Sequence, residues 1–177
     1  RGHHAGYYPG AKNMVLKLIF DENGKIFGAQ AVGEAGVDKR IDVIATAIKG
    51  NLTVYDLPEI EITYAPPYNS AKDPVNIAGY TAENILKGDL EMVNYDEFWD
   101  FVKENDAVIL DVRTSKEFSG GAIEGAININ VDDLRANLEN LDKNKTYAIY
   151  CQVGLRGYLA NRIMRNNGFR AVNLNGG

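Results

Sequence analysis

The single cysteine of the chain, Cys151, stands between a strand-like segment and a helix-like segment. Residues 146–150 (TYAIY) are β-branched, aromatic or apolar, as a central strand requires, and apolar residues recur at helical spacing from Leu155 onward. Cys151 is therefore predicted to lie at the carboxyl end of a strand. Gly154 can adopt a positive φ, so several backbone N–H groups of the loop can converge on the sulfur. These amides, the helix N-terminus and Arg156 would favour a reactive thiolate over an inert buried thiol.

The length of the loop separates two chemistries. A phosphate cradle of the C-x5-R type has its arginine six positions after the cysteine, where this chain has Gly157. Here Arg156 comes at the fifth position, and the shorter loop suits a sulfur-sized group. The segment resembles the rhodanese, or sulfurtransferase, family, whose cysteine takes sulfane sulfur from a donor and passes it to a thiol acceptor. The resemblance implies a catalytic Cys151 and a sulfur- or anion-binding loop of Gln152, Val153, Gly154, Leu155 and Arg156.

A second stretch carries the same resemblance. Residues 108–111 (VILD) read as another parallel strand, and a T-x-x-E capping box then starts a short helix. Residues 111–129 are similar to the family signature D-V-R … E-[FY]-x-x-G-x-I-x-G-A-x-N-I. The resemblance implies that Asp111 and Arg113 form a structural ion pair near the site. Two departures are Ala122, where many members have His, and Asn130, where many have Pro.

Composition sets the outer limits. The chain has 177 residues, a formal net charge of -5 and no lysine- or arginine-rich run, which argues against nucleic acid or an anionic membrane surface as a partner. No stretch approaches the roughly 18 apolar residues of a membrane span, and no signal peptide is recognisable, so a cytoplasmic protein is expected. His3 and His4 have no partner at ligand spacing, and no metal site is predicted.

The N-terminal half opens with two strand-like segments, at 14–20 and 26–32. The segment between them carries Asn23-Gly24, a strong signal for a hairpin turn. A helix ending at Gly50 follows. Its predicted apolar stripe is Val37, Ile41, Ile44, Ala45 and Ile48. Its predicted outer residues are Asp38, Lys39, Arg40 and Asp42. These elements predict an α+β unit.

Prolines shape the next segment. Consecutive prolines and the Asp73-Pro74 step within 64–76 exclude a regular element there and predict a rigid loop. Residues 81–86 are then predicted to close the unit as a helix. The spacing of these elements alone assigns the half no function.

Four blocks of this half resemble the C-terminal dimerisation domain of flavin- and pyridine nucleotide-dependent disulfide reductases, nearest the CoA-disulfide reductase and NADH oxidase branch. The blocks are residues 7–11 (YYPGA), 28–33 (GAQAVG), 36–40 (GVDKR) and the loop 64–76. In the branch with a fused tail, a rhodanese domain follows this domain. The resemblance implies a homodimer formed through residues 1–88. It also implies that Tyr8, Tyr64 and Tyr68 reach across the dimer to the partner's reductase site.

The resemblance implies FAD, NAD(P)H and CoA for the full-length protein. None of them is expected to bind this chain alone, because the nucleotide-binding fingerprint G-x-G-x-x-G is absent from its sequence. The first domain is accordingly expected to be truncated at its N-terminus, and the second at its C-terminus.

The second half, residues 89–177, reads as a small α/β domain with a mostly parallel sheet. Its strands are predicted near 108–111, 127–129, 146–150 and 170–174. Asn94 is predicted to cap a first helix with Glu97 at the third position. The predicted buried stripe of that helix is Tyr95, Phe98, Trp99 and Val102.

Two functions follow as hypotheses. The first is part of a FAD- and NAD(P)H-dependent reductase of CoA disulfide, CoA persulfide or polysulfide, in which this chain supplies dimerisation and a persulfide-carrying cysteine. The second is a non-catalytic rhodanese-like sensor or scaffold on an NADH oxidase, which a redox-inert Cys151 would favour.

Overall fold

The chain divides into two units between Lys87 and Gly88. The first unit opens with a β-hairpin. The structure, a computed structural model, describes residues 2–177. Strands β1 (Met14–Phe20) and β2 (Ile26–Gly33) pair antiparallel, as their alternating sequence predicts. Gly24 between them has a φ of 83°, which fits the predicted Asn-Gly turn.

Two helices and a short 3-10 turn (Leu57–Glu59) complete this unit. Helix α1 (Val37–Lys49) ends at Gly50, as predicted. Helix α2 (Pro74–Leu86) begins seven residues earlier than the predicted start at 81. Its early start has a local cause, because the Asp73 side chain caps the helix and a proline fits the first helical position, where no N–H is needed. The buried apolar core is Ile26, Ile44, Ala47, Val54, Leu57, Val75 and Ala82.

Arg40 corrects the predicted faces of α1. It was assigned to the outer face, but its side chain is buried and only 1% of the residue is exposed. Ala45, assigned to the apolar stripe, is exposed. Arg40 turns inward because it pairs with Asp73, which lies 33 residues away in sequence and therefore leaves no trace in the helical periodicity.

The second unit is built on one parallel sheet. Its helices and 3-10 turn are α3 (Phe98–Glu104), α4 (Ser115–Ser119), α5 (Leu134–Asn137), the turn Leu138–Asn140 and α6 (Leu155–Asn166). Its strands are β3 (Met92–Val93), β4 (Val108–Asp111), β5 (Ile127–Asn128), β6 (Thr146–Tyr150) and β7 (Arg170–Leu174). The strand order is β3-β7-β6-β4-β5, and every adjacent pair is parallel. The predicted α/β architecture is confirmed, with β3 as an addition.

Both faces of this sheet are buried. Leu110, Ile149 and Ala171 pack on one face with residues of α5 and α6. Ile109 and Ala148 belong to a second core on the other face, with Phe98 of α3. Burial on both faces explains why these strands are near-continuous apolar runs.

Helix α3 differs from its prediction. It begins at Phe98 with Glu97 as its N-cap, and Asn94 instead lies in a preceding turn, where its carbonyl accepts the Glu97 N–H at 3.1 Å. The later start changes which residues face the core. Phe98 is buried, but Tyr95 is 82% exposed and Trp99 is 58% exposed.

No helix within residues 2–177 combines the length and the apolar character that crossing a bilayer requires. The same residues contain no cluster of three or more histidine, cysteine, aspartate or glutamate side chains that could hold a metal ion.

Candidate active site

Cys151 follows β6 directly and so lies at the carboxyl end of a central parallel strand. Only 4% of the residue is exposed, and it packs in the same core as Ile149. Gly154 has a φ of 90° and is the N-cap of α6, in agreement with the loop predicted from the glycine. Its backbone N–H donates to the Cys151 Sγ at 3.1 Å. The geometry therefore places a backbone donor and a helix N-terminus at a buried sulfur, and both of these groups stabilise negative charge there.

The rest of the loop is arranged differently from the expectation of several converging amides. Within residues 2–177, the Gly154 N–H is the single donor to Sγ. Gly154 can direct its N–H back to the sulfur because its left-handed backbone reverses the chain there. Val153 and Leu155 are exposed to 74% and 64%, and Gln152 is also exposed, so the outer surface of the loop is largely apolar.

Arg156 is held by a carboxylate. Its Nη1 and Nη2 donate to the two oxygens of Glu117 at 2.8 and 2.7 Å, in a bidentate ion pair. These hydrogen bonds from Arg156, together with those from Thr114, hold the pKa of the Glu117 carboxyl well below its usual range. The same pair raises the pKa of Arg156. Arg156 therefore lies in the loop as predicted, but its guanidinium is engaged with Glu117.

Asp111 and Arg113 form the ion pair that the resemblance implied. Asp111 is fully buried, and it accepts hydrogen bonds from Arg113 Nε at 3.0 and 3.1 Å and from Nη2 at 2.7 Å. Arg113 Nη2 also donates to the carbonyl of Gly121 at 2.8 Å, which ties the strand end to the following loop. Burial pushes the pKa of Asp111 up, but hydrogen bonds from Arg113 and Tyr150 outweigh it, and the net pKa is lowered.

Two glycines lie very close to neighbouring atoms at the base of the loop. A Cβ on Gly157 would lie 2.0 Å from the Asn173 Oδ1, so the Asn173 side chain would have to move to admit a larger residue. A Cβ on Gly177 would lie 2.4 Å from the Val153 nitrogen. The turn after β7 thus packs against the cysteine loop.

Two features near the loop leave no local signal in the sequence. Asn173 is buried, and its Oδ1 has no hydrogen-bond partner among the described residues. Glu117 was identified only as part of a capping box, and its ion pair spans 39 residues. The exposure of Leu159, together with that of Leu155, shows that the apolar spacing in α6 is not all core. No local pattern distinguishes these cases.

The first unit contains the other predicted site residues. Tyr8, Tyr64 and Tyr68 are all exposed. A hydrogen bond between the Tyr7 and Tyr64 hydroxyls raises the pKa of Tyr64. Arg40 Nη2 donates to the Asn69 Oδ1 at 3.2 Å and so holds the loop that carries Tyr64 and Tyr68. A role for these tyrosines across a dimer stays a prediction.

Comparison with known proteins agrees with both halves of the fold. Residues 94–177 match the rhodanese-like domain, and residues 2–74 match the dimerisation domain of pyridine nucleotide-disulphide oxidoreductases. Residues 94–177 therefore belong to the rhodanese-like domain family, and residues 2–74 belong to the family of pyridine nucleotide-disulphide oxidoreductase dimerisation domains.

Two solved structures and one sequence relative show more closely which proteins this chain is similar to. Reduced Bacillus anthracis CoADR-RHD superimposes with a TM-score of 0.95 at 51% identity, covering 100% of this chain and 32% of that one. The NAD-dependent persulfide reductase from A. fulgidus superimposes with a TM-score of 0.88 at 39% identity, over the same shares of 100% and 32%. A coenzyme A disulfide reductase of Staphylococcus haemolyticus is 51% identical over 85 residues, which are 48% of this chain and 19% of the relative. The chain thus spans about a third or less of each relative's length.

Proposed function

We propose that this chain is part of a FAD- and NAD(P)H-dependent reductase of CoA disulfide, CoA persulfide or polysulfide, in which Cys151 carries sulfane sulfur as a persulfide. The observation that carries the proposal is the position of Cys151, at the end of a central strand with the Gly154 N–H on its sulfur. The similarity to the structures of CoADR-RHD and of an NAD-dependent persulfide reductase supports the same chemistry.

The proposed transfer at Cys151 is redox-neutral. The thiolate attacks the terminal sulfur of a persulfide R–S–SH, the donor's S–S bond breaks, and R–S⁻ leaves with the electron pair. Cys151 then holds the sulfur as a persulfide until an acceptor thiol attacks it. The Gly154 N–H and the start of α6 stabilise negative charge on the sulfur before and after this step.

FAD and NAD(P)H would supply the electrons for reduction elsewhere in the full-length enzyme. The residues of this chain do not fit either cofactor. No strand-to-helix turn within residues 2–177, including those at 112–114 after β4 and 151–154 after β6, carries the G-x-G-x-x-G fingerprint that lets a backbone approach pyrophosphate.

The dimerisation domain supports a homodimer. We assign its interface to residues 1–88 and propose that the exposed Tyr8, Tyr64 and Tyr68 lie at the partner's reductase site, where a phenol can donate a hydrogen bond to a leaving thiolate. The sulfane sulfur donor and the thiol acceptor are the proposed small-molecule partners, and the cytoplasm is the proposed location. A sensor or scaffold without catalysis is less favoured, because the relatives named above are reductases.

Turnover with CoA persulfide tests this function. The chain should release sulfide from CoA persulfide in the presence of dithiothreitol well above the protein-free rate, because Cys151 relays the sulfur. Cys151→Ser should return the rate to that background, since a serine hydroxyl is a far weaker nucleophile than a thiolate at neutral pH. Equal rates for both proteins would reject Cys151 as the carrier.

A further inference from the structure

The second unit has two arginines beside its strand ends, and each is paired with its own carboxylate. Arg113 is bound by the buried Asp111. Arg156, in the cysteine loop itself, is bound through both terminal nitrogens by Glu117. A sulfur donor approaching Cys151 therefore meets a loop whose own cation is already neutralised.

Glu117 is fixed in this position. The Thr114 N–H and Oγ1 donate to its Oε2 at 3.0 and 2.7 Å, and Thr114 Oγ1 accepts the Glu117 N–H at 3.3 Å. Two charge-assisted contacts from Arg156 and two from Thr114 hold one carboxylate, which leaves it little freedom to swing away. The pair is about 30% exposed, with values of 29% for Arg156 and 31% for Glu117, so an incoming ligand can reach it.

Arg156 also acts on the sulfur. The Glu117 hydrogen bonds are the main cause that raises the pKa of Arg156, and attraction to a Cys151 thiolate adds to it. The guanidinium therefore contacts the Glu117 carboxylate directly and interacts with a Cys151 thiolate only through space. If Glu117 were uncharged, the positive field of Arg156 at the cysteine would be unopposed.

We propose that Glu117 is the specificity-determining residue of the Cys151 site: it withdraws Arg156 from oxyanion donors and favours donors whose sulfane sulfur is carried by an organic thiol. This inference rests on the proposed function of Cys151. An organic persulfide can react at Cys151 and leave the Glu117–Arg156 pair intact. Thiosulfate, a dianion, must either displace Glu117 from Arg156 or react beside a guanidinium whose charge Glu117 already neutralises.

The disfavoured reaction is the transfer of sulfur from thiosulfate to Cys151, and it is redox-neutral. The Cys151 thiolate attacks the outer sulfur of thiosulfate, the S–S bond of thiosulfate breaks, and sulfite leaves with the electron pair. Sulfane sulfur moves to Cys151 without net oxidation. An unpaired arginine would stabilise both the incoming dianion and the departing sulfite.

A pair of alkylating reagents measures this field directly. Iodoacetate and iodoacetamide react with a thiolate in the same way, but only iodoacetate is negatively charged. The ratio of their rate constants at Cys151 therefore reports the local charge, and changes in thiolate population cancel. In Glu117→Gln, which keeps the shape of the side chain, we expect this ratio and the rate of sulfur loading from thiosulfate each to rise about fivefold.

Two further variants complete the test. Arg156→Ala leaves Glu117 as an unpaired anion, and the ratio should fall below that of the unmodified chain. Glu139→Gln removes an equal charge from an exposed site that has no ion pair among the described residues, and the ratio should stay unchanged. Lys116, the exposed cation next to Glu117, is present in all four proteins, so its contribution cancels.

The outcomes separate the two proposals. An unchanged or lower ratio in Glu117→Gln overturns the role of Glu117. If Glu117→Gln unfolds, judged by circular dichroism, the Arg156→Ala arm decides, and a ratio at or above that of the unmodified chain overturns it. If CoA persulfide loads sulfur onto Cys151 in none of these four proteins, the proposed sulfur transfer is overturned, whatever the alkylation ratios show.

Discussion

Arg40→Ala should lower the free energy of unfolding of the first unit by about 3–5 kcal/mol, because it leaves a buried carboxylate without its partner. Arg40 and Asp73 are each 1% exposed. Arg40 Nε and Nη2 donate to Asp73 Oδ2 at 3.0 and 2.7 Å. Nη2 also donates to the Asn69 Oδ1 at 3.2 Å and to the His3 carbonyl.

This network links α1 to the loop that holds Tyr64 and Tyr68. The Asp73 side chain also accepts the Val75 N–H at 2.9 Å, so an uncompensated charge at Asp73 would weaken the start of α2 as well. Amide hydrogen exchange of α1 should show the loss of stability, because the exchange of these amides reports the first unit separately from the second. Lys49→Ala, on the exposed end of the same helix, is the matched control and should have little effect. Equal protection of α1 in both variants would show that the buried pair contributes no stability.

Arg113→Ala should lower the stability of the second unit by a similar amount, about 3–5 kcal/mol, for the same reason. Asp111 is fully buried at the end of β4, and Arg113 supplies its charged partner. Trp99, the single tryptophan of the chain, lies in this unit, so its fluorescence during denaturant unfolding reports the second unit alone. Arg170→Ala, an exposed change on β7, is the matched control and should unfold close to the unmodified chain.

The destabilisation caused by Arg113→Ala should change with pH in a defined direction. In the unmodified chain the folded-state pKa of Asp111 lies below its unfolded value, so the stability that Asp111 contributes is present above the unfolded pKa and is lost as pH falls through the folded pKa. Without Arg113, burial dominates, and the folded pKa of Asp111 should rise above its unfolded value. Acidification from neutral pH through that raised pKa should then reduce the difference in unfolding free energy between Arg113→Ala and the unmodified chain. A difference that stays constant between pH 7 and about 4 would contradict this role of Asp111.

Local sequence signals predicted the cysteine site well. A β-branched and apolar run, a cysteine, a glycine and a helical period within about twenty residues define β6, the loop and α6. The capping box at Thr114 and Glu117 likewise predicted the start of α4, because both of its hydrogen bonds join residues three apart. These features depend on neighbours in sequence.

Two ion pairs, one beside the cysteine loop and one in the core of the first unit, depend on residues that are distant in sequence. The Glu117–Arg156 pair and the Arg40–Asp73 pair join residues 39 and 33 positions apart, and no periodicity records such a pairing. The resemblance placed Arg156 in the loop but gave no account of the carboxylate that neutralises it. The start of α2 differs from its prediction for another reason. The Asp73-Pro74 step predicts a break in regular structure, but Asp73 caps the helix and Pro74 is its first residue.

Peptide mass spectrometry of the chain after treatment with CoA persulfide tests the central claim most directly. Cys151 is the only cysteine, so an added sulfur can be assigned to one peptide. We expect the peptide containing Cys151 to gain the mass of one sulfur atom and to return to its original mass after reduction with dithiothreitol. A Cys151 peptide of unchanged mass, under conditions in which a small-molecule thiol takes up sulfur from the same donor, would contradict it.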